Sequence, residues 1–184
     1  MYHSRWAGFA VSALFVGASV ASAQDVPPLD GYRQADYDAQ VPDIVPGAVT
    51  VGDKAVYALW HSGRVAFIDV MPNLARPVGL PADAVWHGRS RHSVPGAIWL
   101  PDVGFGTLDE AAAAQFDAGL KAATGGDWDA PIVFLCRADC WMSWNASKRA
   151  VARGFTRVFW YRDGTTDWTF WDWPTQRLKV FDRQ

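Results

Sequence analysis

Cysteine is scarce in this chain: two residues, Cys136 and Cys140, among 184. Two thiols cannot build a disulfide-dense miniprotein or a four-thiolate zinc site. A surplus of one charge is missing as well. Lys and Arg number 17 against 19 Asp and Glu, a formal net charge of -2. That balance leaves no electrostatic footprint for nucleic acid or an acidic membrane face. After the first segment, no apolar run approaches a membrane span. Apolar and aromatic surface is plentiful instead. A chain that is 50% hydrophobic is not a disordered one. Its length suits one domain with a genuine core. Trp is abundant at 11 residues, and Trp141, Trp144, Trp160, Trp168, Trp171 and Trp173 crowd the C-terminal part.

The start reads as an address. Arg5 precedes the apolar stretch from Trp6 to Ala18, and Ala21-Ser22-Ala23 offers small residues before the polar Gln24-Asp25. This pattern predicts a secretory signal peptide over 1–23, cleaved after Ala23. The apolar stretch is too short for a membrane anchor, and no Lys/Arg cluster follows it. The expected product is exported and periplasmic, without stable membrane insertion, in a compartment where two thiols can pair.

Residues 24–50 carry Pro27, Pro28, Pro42 and Pro46, which break helices and central strands, so an extended N-terminal arm is expected there, pinned by Tyr32 and Tyr37. The domain proper is expected over 51–184, ending in an aromatic-rich tail. Val51–Leu59 reads as a short helix or turn. Arg64–Val70, Pro95–Leu100, Pro131–Leu135 and Thr156–Tyr161 read as buried strands. Met71–Ser93 reads as a long irregular loop with Arg76, His87, Arg89, Arg91 and His92. Thr107 and Glu110 have capping-box spacing before an Ala-rich helix that Gly125-Gly126 ends. A second helix is expected from about Trp144 to Arg153. Strands that are apolar throughout, alternating with helices, predict an α/β fold with a parallel sheet covered on both faces.

In such a sheet, ligands bind beyond the carboxyl ends of strands. Cys136 stands there, at the end of the strongest strand and before a helix. A loop curling around its sulfur would aim backbone N–H groups and a helix dipole at it, favouring the nucleophilic thiolate. Arg137 adds a positive charge nearby. The bland reading is a small buried thiol at a strand end. The chemical reading requires a sulfur that is held, ionised and reachable.

His92-Ser93-Val94-Pro95-Gly96-Ala97 resembles the histidine–x–x–proline–glycine–alanine signature of rhodanese domains. Phe67-Ile68-Asp69-Val70 resembles their first-strand aspartate motif, and Cys136 with its loop and Gly154-Phe155 resembles their active-site loop and closing helix. The resemblance implies a five-stranded parallel sheet with helices on both faces. It also implies a cysteine that carries sulfane sulfur as a persulfide. Cys140-Trp141-Met142-Ser143-Trp144 and Val158–Thr165 further resemble the secreted "CXXCW motif" rhodanese-like proteins associated with pyrroloquinoline-quinone (PQQ)-dependent alcohol catabolism of the methanol and ethanol type. The cysteines here are separated by three residues, Arg137, Ala138 and Asp139, so thioredoxin-like properties are not carried over.

The resemblance makes Cys136 and Cys140 the catalytic candidates. It makes Arg137, Ala138, Asp139, Trp141, Met142 and Ser143 the candidate substrate-binding loop. Cys136 would take sulfur from a small sulfur-containing anion or a protein thiol, and Cys140 would resolve the persulfide. Alternatively the pair exchanges disulfides directly, or forms a static bridge in a binding module that docks on a PQQ-dependent alcohol dehydrogenase or its cytochrome. None of these needs a bound cofactor or metal. A cysteine phosphatase would need Arg where Met142 stands. His61, His87 and His92 show no spacing that supports a protease dyad. Two Cys four apart with one of these His are a weak zinc signal. Trp141 is expected in a pocket wall, Trp160 in the core. Trp168, Trp171 and Trp173 are expected either on a partner surface or packed on the sheet. Arg91 is expected as a solvated loop charge, Asp69 in a structural role, and His92 bonded to backbone.

Overall fold

A computed structural model describes residues 26–73, 77–86 and 90–182. Segment 1–23, where a signal peptide is expected, and Arg76, His87 and Arg89 lie outside the described residues. The strands are β1 (Val49–Val51), β2 (Ala66–Asp69), β3 (Arg91–Ser93), β4 (Ile98–Trp99), β5 (Ile132–Leu135), β6 (Val158–Tyr161) and β7 (Gln176–Leu178). The helices are α1 (Asp53–His61), α2 (Glu110–Thr124), α3 (Trp141–Ala152) and α4 (Gly164–Phe170). Five strands form a parallel sheet in the order β1-β6-β5-β2-β4. The expected five-stranded α/β architecture is therefore the observed one. Among the described residues, no helix is long and apolar enough to cross a membrane.

Central β5 shows why its sequence is apolar at every position. Side chains alternate across a strand. Ile132 and Phe134 enter one core with Phe116 and Leu120 of α2 and Ala146 and Ala150 of α3. Val133 and Leu135 enter the other core with Val56 of α1 and Trp168 of α4. Two buried faces leave no position for a polar residue. A third cluster joins Val41 and Val45 to Trp141, Trp144 and Trp160. It lies where the N-terminal arm crosses α3.

Three local expectations change. Helix α2 is capped by Asp109, whose carboxylate accepts from Ala112 N at 2.7 Å. The Thr107 capping box does not form, because a carboxylate nearer the helix captures the free amide. Helix α3 begins at Trp141, three residues before the expected start. The long loop also ends in a strand: β3 pairs antiparallel with β7, with His92 opposite Arg177. Polar Arg91 and His92 concealed that strand, because its partner comes from the distant C-terminal segment. His92 is exposed on this ribbon.

Candidate functional site: a disulfide at a strand–helix junction

β5 stops at Leu135, Cys136 follows, and Cys140 is the N-cap residue of α3 with extended backbone (φ -119°). The chain therefore turns back within Arg137, Ala138 and Asp139. Asp139 makes that reversal in the left-handed region at φ 51°, which Asp tolerates better than most residues. The turn brings the two Cα atoms to 6.3 Å, and the two sulfurs are joined in a disulfide.

The backbone of Cys136 is fixed from two sides. Its carbonyl accepts from Thr165 N, Thr165 Oγ1 and Arg91 Nη2, each at 3.0 Å. Gly164, with φ 55°, makes the approach of α4 possible: a Cβ there would lie 2.8 Å from the Cys136 carbonyl group. Arg91 is not a solvated loop charge. Its guanidinium donates to Asp69 Oδ2 through Nε at 2.8 Å, and Asp69 Oδ1 accepts from Met71 N at 2.9 Å. Burial pushes the Asp69 carboxyl above its usual range, and Arg91 pulls it the other way. The pair thus connects the end of β2 to Cys136 and Thr165. A buried strand-end aspartate requires a cation, and that signal was already present in Phe67-Ile68-Asp69-Val70.

The arm closes the loop from outside. Trp141 N donates to Tyr37 O at 2.9 Å, and Trp141 Nε1 to Gln40 O at 3.1 Å. Asp38 forms an antiparallel bridge with Cys140, and its carboxylate pairs with Arg137. Arg33 lies over the Trp141 ring at 5.2 Å. Its backbone exchanges hydrogen bonds with the Asn145 amide. Lys148 donates to the carbonyls of Leu29 and Asp30. Tyr37 does pin the arm as expected: its hydroxyl accepts from Gly106 N at 3.0 Å.

The expected open cup of amides is not what this form presents. Cys136 is 0% exposed and Cys140 2%. Met71 Sδ lies 3.4 Å from Cys136 Sγ. The amides of Ala138 and Trp141 are occupied, by Thr166 Oγ1 and Tyr37 O. Both sulfurs are oxidised and covered, so neither is a nucleophile in this state, nor a thiolate ligand for a metal. Arg137 and Ala138 are half-buried, and Asp139 is exposed. The side chains of Trp141, Met142 and Ser143 are buried rather than set in a pocket wall. Ser143 Oγ donates to Cys140 O and accepts from Trp160 Nε1. Trp160 is core, as expected.

This junction, with a cysteine leaving the central strand and glycine-backed α4 seated on its carbonyl, lies inside the region matched by a family model, the rhodanese-like domain, over residues 52–170. The chain belongs to the rhodanese-like domain family. Solved structures resemble it at low identity. A polysulfide-sulfur transferase homodimer from Wolinella succinogenes is 18% identical, covering 72% of this chain and 80% of that one, with a TM-score of 0.44. A human single-domain sulfurtransferase is 24% identical, covering 67% and 96%, with a TM-score of 0.41. An uncharacterized protein from Saccharomyces cerevisiae is 18% identical, covering 67% and 92%, with a TM-score of 0.39. No curated protein matches the sequence. In this rhodanese-like domain, the turn between β5 and α3 holds a closed cysteine pair.

Proposed function

We propose that this is an exported, periplasmic rhodanese-like protein of the secreted CXXCW-motif subfamily. Its Cys136–Cys140 pair performs thiol–disulfide and persulfide chemistry as an accessory to PQQ-dependent alcohol oxidation. The observation that carries the chemistry is the disulfide itself, seated where β5 meets α3. The address and the metabolic context rest on the signal-like segment 1–23 and on the Cys140–Trp144 and Val158–Thr165 motifs.

The sealed pair sets the order of events. A partner dithiol first reduces the bridge, becoming a disulfide itself as Cys136 and Cys140 gain two electrons and two protons. The freed Cys136 thiolate stands at the N-terminal end of α3, where the helix dipole favours the anion. It attacks the sulfane sulfur of a donor such as thiosulfate, and sulfite leaves with the electron pair of the broken S–S bond. Cys140 thiolate then attacks Cys136 Sγ, expelling hydrosulfide and restoring the bridge. The cycle consumes one dithiol and one sulfane sulfur per sulfide released.

Mass spectrometry of the protein reduced under native conditions and treated with thiosulfate tests this reading. A gain of one sulfur is expected in Cys140→Ser, where it cannot be resolved, and none in Cys136→Ser. A second reading is favoured by the burial of both sulfurs and by the occupied Ala138 and Trp141 amides. On it, the bridge is permanent and the domain is a binding module for a quinoprotein dehydrogenase or its cytochrome. A pair that resists mild reductants in the folded protein, with no sulfur taken up by Cys140→Ser, selects that second reading.

A further inference from the structure

Away from the disulfide, a groove of about 600 Å3 is lined by Gly52, Asp53, Lys54, Ala55, Trp171 and Trp173. The two indoles lie 22° from parallel with centroids 6.4 Å apart, and Trp173 packs against Tyr57 at 4.6 Å. Phe170, 77% exposed, and Trp171, 51% exposed, continue this apolar surface outward. Contiguous exposed aromatics of this kind mark interaction surfaces more often than chance.

The rim of the groove is acidic. Carboxylate oxygens of Asp53, Asp163 and Asp167 lie within 4.8 Å of one another. Asp53 is already engaged: Oδ1 accepts from the Tyr161 hydroxyl at 2.8 Å, and Oδ2 from Trp171 Nε1 at 2.9 Å. These bonds fix the Trp171 ring and make the cluster an anionic wall rather than a cage for a metal ion. Arg162 is held by Asp43 and Asp163, and Lys54 lines the groove itself. Burial, then repulsion from Asp163 and Asp53, raises the Asp167 carboxyl above its usual range, while Arg162 opposes the rise. Negative charge here is incompletely neutralised.

We propose that this groove docks a cationic segment of a partner protein, one that presents Lys or Arg side chains beside apolar residues. Indole faces attract ammonium and guanidinium groups, the aliphatic stems of those side chains cover apolar surface, and the aspartates complete the match. An anionic partner would meet the carboxylates instead. Helix α4 begins on the Cys136 carbonyl and ends at Phe170, ~10 Å further along at helical rise. Helix α4 therefore links the groove to the cysteine loop. The docking itself does not depend on any chemistry at the cysteines.

The test titrates the intact, nitrogen-15-labelled protein with a short alternating lysine–leucine peptide, following indole N–H resonances by NMR. A glutamate–leucine peptide of the same length is the control. Saturable shifts of the Trp171 and Trp173 indoles are expected with the lysine peptide alone. Trp171→Ser and Asp167→Asn should each weaken binding about fivefold, in line with an exposed cation–π contact. Trp128→Ser, at an exposed Trp remote from the groove sequence, should leave affinity unchanged. The proposal is overturned if the Trp171 and Trp173 resonances do not move. It is equally overturned if the glutamate peptide binds as well, or if Trp128→Ser weakens binding as much as Trp171→Ser.

Discussion

The two ends of α4 treat tryptophan in opposite ways. At its start, the helix rests on the Cys136 carbonyl, and across the loop Trp141 and Trp144 are buried beneath Val41 and Val45 of the arm. Their indole N–H groups donate to Gln40 O and Ile44 O, so both buried indoles keep a hydrogen-bond partner. At its end, Phe170 and Trp171 face solvent, and Trp171 satisfies its N–H on the half-buried carboxylate of Asp53. Composition alone does not separate these regions. What separates them is a strap: the proline-bearing arm returns over α3 and covers Trp141 and Trp144. Sealing at one end limits chemistry to states in which the bridge or the strap has opened, and exposure at the other suits recognition.

The sharpest way to break this contrast is to delete one ring from each region. Trp141→Ala should cost about 3–5 kcal/mol, the range for large-to-small changes in a packed core. Trp171→Ala should cost only about 1 kcal/mol, the net worth of its hydrogen bond to Asp53. Urea unfolding of the two variants reads both values, and equal costs would mean that Trp171 is packed as firmly as Trp141.

Removing the bridge comes next in size. Cys136→Ala with Cys140→Ala frees a closed loop of five residues, and chain entropy assigns such a loop about 2 kcal/mol. The arm's hydrogen bonds to α3 do not involve the sulfurs, so the folded double variant should keep Trp141 and Trp144 shielded from a fluorescence quencher. If those rings become accessible, the bridge rather than the strap is what seals the region.

Much of this architecture was legible in the residues. Uniformly apolar Ile132-Val133-Phe134-Leu135 announced a strand buried on both faces, and the turn after it carries the cysteine pair. Local signals lost where tertiary partners decided. Arg91 looked like a loop charge because Asp69, its counterion, is 22 residues away. Strand β3 had no apolar pattern to betray it, since β7 supplies its pairing from the far end of the chain. The closure of the loop was hidden for the same reason. Tyr37 O and Asp38 reach Cys140 and Trp141 from about a hundred residues upstream, and no periodicity encodes that meeting. Trp141 was therefore expected in a pocket wall, although its neighbours bury it.

A finer test loosens the strap without touching the core. Asp38 and Arg137 are an exposed pair beside the bridge, with side chains 70% and 39% accessible. Such pairs contribute no more than about 1 kcal/mol. Asp38→Asn should therefore speed reduction of Cys136–Cys140 by a water-soluble phosphine about two- to fivefold, with little change in unfolding midpoint. Thiol labelling against time under native conditions measures the rate. An unchanged rate would show that Met71 and the core, rather than the arm, control access.

The smallest effect belongs to the open end. Burial, followed by Asp163 and Asp53, holds the Asp167 carboxyl above its ordinary value of 3.8. A carboxyl raised in the fold binds its proton more tightly there than in the unfolded chain. Its contribution to stability is thus fully present below the unfolded value and is lost as pH rises through the folded one. Asp167→Asn, which carries no charge at any pH, should escape that loss. The variant's unfolding midpoint, compared with that of the parent, should rise as pH increases from below 3.8 through the raised folded value. Added salt should remove only the part due to Asp163 and Asp53, because screening acts on repulsion between exposed charges and leaves the burial cost in place. A midpoint difference that is flat with pH would mean that the three carboxylates do not feel one another, and the acidic wall of the groove would lose its electrostatic basis.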